Sequence, residues 1–575
     1  MTYFAPLDDM VFALLQAAGD GAFEEGGLYG DLGDGVAEST LAEAAKFAEQ
    51  ALHPLDRVGD RIGARFSEGA VICPPGWREA YSRWRDGGWN ALAASPEFGG
   101  LGLPALLNAA CTEIWNGANM AFALCPLLGQ GAIEALEAHA SEELKRVYLA
   151  RVVSGEWTAT MNLTEPQAGS DLSLVRTRAE RSPDGAYRLK GQKIFITYGE
   201  HDLAGNIVHL VLARLPDAPE GTRGLSLFLA PKFLPGGDGR FTLRNDLRCA
   251  GLEHKLGIHG SPTCTMIYGD SGGATAWLVG EENKGLACMF TMMNSARLAV
   301  GLQGVGLAER ATQTALAYAR ERRQGRSGAD QGRSAERIVE HPDVMRMALT
   351  MQVLTQAARA ICYETAASID RARRERDPVR AGEADERAAL LTPVAKGFST
   401  DIANETASLG VQIFGGMGFI EETGAAQLMR DARILPIYEG TNGIQAIDLV
   451  GRKLRLGGGG ALRREIADMY SVVEAAGGFA ASGVVREAVA ALEAASRSLL
   501  EADTSKALAG ATPYLRLFAL ARGATLLMKG ALSGDPRRVA LARFFADNVA
   551  VAAPSLARVV VDGAPSLLEA GGTLL

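Results

Sequence analysis

Residues 186–197 read AYRLKGQKIFIT, and the fold turns on how they are read. The run is short, rich in Ile, Leu and Phe, and bounded by Pro183, Asp184 and Gly185, which is the signature of a strand between turns. Two runs of the same texture follow, NIVHLVLARL (206–215) and GLSLFLAPKFL (224–234), so residues 158–281 are expected to form a β domain. Upstream the texture differs. AESTLAEAAKFAEQAL (37–52) and SEELKRVYLARVVSG (141–155) place apolar residues three and four apart among helix formers, with a Pro/Gly-rich loop, ASPEFGGLGLP (94–104), between them. Downstream, CMFTMMNSARLAVGLQGVGLAERATQTALAYARERR (288–323) opens a second helical region that runs to Leu456, broken by charged loops near 323–337 and 374–388. Gly457 to Gly460 read as a linker to a further Ala/Leu/Arg-rich helical segment. The expected domains are therefore 1–157 helical, 158–281 β, 282–456 helical and 461–575 helical.

A chain of 575 residues exceeds what one core holds. It is 47% hydrophobic and 22% charged, as a globular protein should be, and its net charge of -9 gives no reason to expect nucleic acid. The first twenty residues lack a basic region and carry Asp8 and Asp9, so no signal peptide is read. No uninterrupted apolar run approaches the roughly 18 residues of a membrane span. Seven scattered cysteines without a C-x-x-C pair suggest reduced thiols and a cytoplasmic location, and seven scattered histidines give no metal site.

Five segments carry candidate chemistry, each with a plainer reading beside it. MNLTEPQAGSDL (161–172) offers hydroxyls and glycine to a ligand, or is an ordinary turn. In KIFITYGEHD (193–202), Phe195 stacks on a ligand ring or packs in a core. YARERRQGR (318–326) binds phosphate through its arginines or is a solvated basic face. GVQIFGGMGFIEETG (410–424) follows a helix, so it is no dinucleotide fingerprint, though its backbone could meet a phosphate. ILPIYEGTNGIQ (434–445) sets Glu439 beside Ile434, Leu435, Pro436 and Ile437, either as an exposed loop acid or as one held near a core for a purpose.

Together and in this order, these segments resemble the acyl-CoA dehydrogenase family across about residues 40–456. EHKLGIHGSPTC (253–264), the 461–575 extension and the N-terminal MTYFAPLDDMVFAL are similar to a larger subgroup that includes 3-methylmercaptopropionyl-CoA dehydrogenase. The resemblance implies a mainly α fold: a helical domain, a β-barrel-like domain and a four-helix-bundle domain, followed by the helical extension. It implies FAD as cofactor and oxidation of an acyl-CoA to a trans-2-enoyl-CoA, with 3-methylmercaptopropionyl or straight-chain groups as substrates. Glu439 is carried over as the catalytic base. Met161, Leu163, Thr164, Ser170, Phe195, Thr197 and Thr441 correspond to flavin positions. Arg322, with Gln324 beside it, corresponds to the arginine that meets the FAD pyrophosphate from a neighbouring subunit, and Gln412 and Gly416 correspond to the Gly-rich segment on the adenosine side. That Arg322 and Gln412 reach a neighbour's FAD implies a homodimer. Ser170, Asn294, Arg297, Tyr438 and Gly440 correspond to substrate positions. Phe195 stands where Trp is usual, Asn294 where Asp is, and Gly443 where Gln or Glu is; the loop between Arg326 and His341 is longer than the pattern. An electron-transfer flavoprotein is the implied acceptor. The alternatives are an acyl-CoA oxidase using O2 and a non-catalytic FAD-binding relative.

Overall fold

The computed structural model describes residues 3–326 and 335–575. Its chain forms two compact units: Met1–Lys46 with Pro104–Gly117 and Arg297–Leu575, and Phe47–Leu103 with Ala118–Ala296. These units do not follow the helix-to-strand change at 157. The first 46 residues belong with the C-terminal helices, while residues 47–103 belong with the strands.

The strand-bearing unit is built on an eight-stranded sheet. Its order is Leu247–Leu252, Thr263–Tyr268, Tyr187–Thr197, Ala274–Val279, Leu225–Pro231, Ile207–Arg214, Thr158–Asn162, with Arg178–Arg181 paired off this path. AYRLKGQKIFIT is thus mostly one long strand, and it serves two neighbourhoods. Its first half pairs with Ala274–Val279 and Arg178–Arg181, and its second half with Thr263–Tyr268. Thr158–Asn162 pairs parallel with Ile207–Arg214, Met161 lying opposite Leu210. Ile207–Arg214 and Leu225–Pro231 are buried at almost every position, which is why they read as continuous rather than alternating apolar runs.

A polar cluster lies within this sheet. His209 Nδ1 is 2.7 Å from Thr160 Oγ1, which accepts from Asn162 Nδ2 at 2.8 Å, and Tyr268 donates to Asn162 Oδ1 at 2.9 Å. Burial pushes the His209 imidazole down to about 3, so the ring is neutral at pH 7.

In the other unit three long helices pack together: Gly285–Glu321 from Arg297 onward, Pro342–Arg374 and Pro378–Phe414. The charged loop expected near 374–388 shrinks to residues 375–377. Asp377 accepts from the Val379 amide and Pro378 occupies the first turn, so the helix starts there despite its charge. Close crossing depends on glycine. A Cβ on Gly304 would sit 2.5 Å from the Ser399 carbonyl oxygen, and one on Gly301 would sit 3.0 Å from that of Ala395.

The four glycines do not act as a flexible linker. Gly457, Gly458 and Gly459 all adopt left-handed φ and turn the chain sharply into the helix Gly460–Ala475. The extension then packs on the long helices through buried charges. Arg387 of the long helices meets Glu465 of the extension at 2.8 Å, and Arg522 of the extension, paired with Glu465 at 2.9 Å, lies 3.8 Å from Glu364 of the long helices.

Two helical stretches, Gly285–Glu321 and Pro536–Asp562, are apolar and long enough on average to cross a membrane, a property that counting uninterrupted runs does not reveal. The first carries Arg297 and Glu309 and has 56% of its apolar window inside the protein, as a core helix does. The second is broken by the 3₁₀ turn Ala550–Ala552.

Candidate active site

Glu439 sits on a turn that the sequence makes hard to form. It has φ 55 and Gly440 has φ 82, two successive left-handed residues of which only the second is glycine. A bulky side chain in that region costs roughly 1–2 kcal/mol, so the surroundings must hold it. They do so through both carbonyls. Gln445 Nε2 donates to the Glu439 and Gly440 carbonyl oxygens at 3.3 and 3.4 Å, and Lys396 Nζ donates to that of Gly440 at 2.9 Å. Thr441 caps the following helix, Asn442–Gly451, accepting from the Ile444 amide at 3.2 Å. Its hydroxyl proton stays available, because capping uses a lone pair. Among the described residues, neither the Glu439 nor the Gly440 amide donates a backbone hydrogen bond.

Glu439 as a whole residue is half-buried, and protein atoms surround its carboxyl densely. That crowding pushes it up to about 7, against the opposing pull of Arg297 and Lys396. Of the four apolar residues before Tyr438, Leu435 is buried, Ile434 and Pro436 are half-buried and Ile437 is exposed. Tyr438 donates a short hydrogen bond to Gln303 Oε1, and Gln303 Nε2 donates to Asn116 Oδ1 at 3.0 Å. Gln303 is fully buried next to Gly304, so the close helix crossing places it.

Arg297 is buried and pairs with Asp448 at 3.5 Å, and its charge acts on Glu439. Three residues earlier on the same helix, Asn294 is exposed. Arg322, Gln324, Gln412 and Gly416 are all exposed. Tyr318 and Phe414 stack at 4.1 Å and 12°, tying together the helix ends that carry Arg322 and Gln412. Phe419, Met417 and Ile420, close to Gly416 in sequence, are exposed as well.

The strand-bearing unit holds a second group. Met161 is the one half-exposed residue of Thr158–Asn162, and Thr164, Phe195 and Thr197 are likewise open in part, while Leu163 is buried and Ser170 lies on an exposed loop. Two bonds stitch these strand ends together. The Ile194 amide donates to the Thr164 carbonyl at 2.9 Å, and Lys193 Nζ donates to that of Leu163 at 2.9 Å. The core-packing reading of Phe195 fails: the residue is 59% exposed, on a backbone with φ 59.

Glu165 organises the loop behind it. It accepts from Lys193 at 2.8 Å, from the Thr177 hydroxyl at 2.5 Å and from the Arg176 amide at 2.7 Å. Burial alone would raise this carboxyl, but these partners outweigh it and hold it near 2.

Sequence reasoning missed Lys396, Gln303, Glu165 and Lys193. The available signal was a charged or amide residue inside an otherwise apolar stretch, as in LLTPVAKGF (390–398).

Four family profiles match consecutive parts of the chain: the acyl-CoA dehydrogenase N-terminal domain at residues 37–156, the middle domain at 160–271, the C-terminal domain at 283–455, and an acetyl-CoA dehydrogenase C-terminal-like domain at 465–570. A curated relative, 3-methylmercaptopropionyl-CoA dehydrogenase of Ruegeria pomeroyi, is 48% identical over 99% of this chain and 100% of its own. The chain belongs to the acyl-CoA dehydrogenase family of oxidoreductases. Two solved structures share its fold at low identity. ACDH-11 of Caenorhabditis elegans, in complex with C11-CoA, has a TM-score of 0.76 at 20% identity, covering 98% of this chain and 92% of that one. An acyl-CoA dehydrogenase of Bacillus anthracis complexed with FAD has a TM-score of 0.72 at 21% identity, covering 94% and 91%.

Proposed function

We propose that this protein is an FAD-dependent acyl-CoA dehydrogenase in which Glu439 removes the α-proton of the thioester, giving a trans-2-enoyl-CoA. The observation that carries the reading is the Glu439 carboxyl itself: partly buried on a strained turn, with a pKa near 7 and two cations acting on it. An α-proton beside a thioester is weakly acidic, so the base must be stronger than an exposed carboxylate and accurately placed. The amide of Glu439, which the turn leaves uncommitted, is available to hold the thioester oxygen as negative charge builds there.

The residues present fit FAD. Met161, Thr164, Phe195 and Thr197 are the open positions of stitched strand ends, and a ring exposed on a left-handed backbone is explained by something flat packing on it. A Cβ added to Gly416 would meet nothing within 4 Å, so glycine there suits close approach of a ligand rather than packing. When bound, FAD accepts the hydride that leaves the β-carbon. Met161, Leu163, Thr164, Ser170, Phe195, Thr197 and Thr441 hold the flavin portion in this reading. Ser170, Asn294, Arg297, Tyr438 and Gly440 serve the substrate.

Arg322, with Gln324 beside it, and Gln412 are assigned to a second copy's FAD, and Gly416 to the adenosine side of the cofactor. The exposed Met417, Phe419 and Ile420 beside them give a homodimer apolar surface to cover. The 48% identical relative supports 3-methylmercaptopropionyl-CoA as substrate, with straight-chain acyl-CoA next. An electron-transfer flavoprotein is the proposed acceptor and the cytoplasm the proposed location.

The deciding experiment is Glu439→Gln under anaerobic mixing with 3-methylmercaptopropionyl-CoA. Flavin content and the thioester-induced spectral shift should persist, and bleaching should slow by about 10⁴-fold or more. Bleaching at close to the wild-type rate would move the base elsewhere.

A further inference from the structure

We infer that Lys396 is a positioning residue for this reaction: its ammonium, bonded to the Gly440 carbonyl and the Asn442 side-chain oxygen, pins the turn that aims the Glu439 carboxyl. The inference rests on the reading of Glu439 as the base. Lys396 lies within the helix Pro378–Phe414 with its side chain fully out of solvent. Its two hydrogen-bond acceptors, at 2.9 and 2.8 Å, are neutral. A buried ammonium with neutral acceptors is an unfavourable choice for packing alone, and a methionine would fill the same space without the desolvation cost.

Both acceptors belong to the segment that carries Glu439. Gly440 follows it directly, and Asn442 is locked to the same helix by bonds to the Gly397 carbonyl at 3.1 Å, Thr400 Oγ1 at 2.9 Å and Asp401 Oδ1 at 2.7 Å. Residues 396–401 of this helix therefore hold the turn at the Gly440 carbonyl and again two residues on at Asn442. That grip opposes the relaxation of a non-glycine residue at φ 55.

The charges around Lys396 come from three elements. Glu439 on the loop and Asp401 on its own helix favour the ammonium, and Arg297 on the helix Gly285–Glu321 opposes it. Asp401 is itself faced by Arg516 and Glu405. Burial holds Lys396 down to about 7, beside a carboxyl near the same value, so the pair shares its titration.

The test uses holoenzyme carrying Lys396→Met, which removes donor and charge, and Lys396→Gln, which keeps a donor. Hydrogen exchange of residues 436–445 reports the turn, flavin content and thioester affinity report the fold, and anaerobic bleaching with 3-methylmercaptopropionyl-CoA reports the chemistry. Lys396→Met is expected to keep flavin and bind thioester within about threefold of wild type. It should speed exchange in 436–445, slow bleaching by about 10- to 100-fold, and move the pH midpoint of bleaching upward. Lys396→Gln should recover part of the rate while keeping the shifted midpoint.

An unchanged rate and midpoint in Lys396→Met would overturn the inference, as would a rate loss matched by equal loss of thioester binding. Should the methionine variant not fold, Lys396→Gln decides alone: wild-type rate and midpoint overturn the inference, and a slower rate with thioester binding kept supports it. Glu439→Gln runs alongside. Wild-type bleaching there defeats the base assignment itself, whatever Lys396 does.

Discussion

At Glu439, two features that a sequence motif cannot display meet in one residue. Its carboxyl is pushed up to about 7 by crowding, and its backbone is held left-handed by Gln445 and Lys396. The base must be ionised to accept a proton, so the rate of flavin reduction should be low below pH 6, rise through about 7 and level off above it. Stopped-flow rates from pH 5.5 to 9 check this; a midpoint near the ordinary carboxylate value of about 4.3 would contradict it. That midpoint is a property of the Glu439–Lys396 pair rather than of either group.

Phe195 makes the opposite trade. Its φ of 59 strains a bulky residue, and its exposed ring gains little from burial. Phe195→Gly should relieve up to roughly 1 kcal/mol of strain, so the flavin-free protein should melt no lower than wild type. Its affinity for FAD should fall, because the ring surface is gone. Calorimetry of the apo-protein and a flavin titration together separate the two effects; a large drop in apo stability would show the ring to be core after all.

Among the elements, the helices Gly285–Glu321 and Pro378–Phe414 do most to build the region around the base. Where they cross at Gly301 and Gly304, they set Gln303 on Tyr438 and Lys396 on Gly440. Gly304→Ala should cost about 1–3 kcal/mol, since its methyl meets a helix backbone that cannot rotate away. It should also slow flavin reduction, although the residue touches no substrate. Denaturant unfolding and single-turnover bleaching test both halves, and a stable variant with normal chemistry would show the crossing to be loose.

The sequence pattern identifies these helices readily, since their apolar spacing is long and regular. It does not identify Gln303 or Lys396. A lone polar residue in an apolar run looks the same whether it points at solvent or at a partner 135 positions away, as Gln303 meets Tyr438. Charge density misleads in the same way at 378–388, where Asp377 and Pro378 start a helix although the charges suggest a loop.

On the scale of the whole molecule, the 461–575 extension joins the unit that carries Glu439 through buried charge. Burial alone would raise Glu364, but Arg387, Arg522 and Lys529 outweigh it and hold it down to about 2. Its folded pKa thus lies below the unfolded value of about 4.3, so its stabilisation is complete above that value and is lost as pH falls towards 2. Glu364→Gln should therefore destabilise by roughly 3–5 kcal/mol at pH 7, with the deficit shrinking below about pH 4.5. Thermal melts of both proteins across pH 3 to 7 test the sign; a deficit that grew in acid would refute it.

By itself the sequence determined the order of helices, strands and helices, the family, and which acid to examine. Those follow from local periodicity and from short motifs whose residues are neighbours in the chain. The tertiary structure alone decided that residues 1–46 join the C-terminal helices, that the four glycines make a tight turn, and that Phe195 faces outward. It alone decided that Glu439 is a carboxyl near 7 with Arg297 and Lys396 acting on it. Burial, backbone strain and the field of distant charges depend on which residues meet in space, and such meetings leave no periodic trace along the chain.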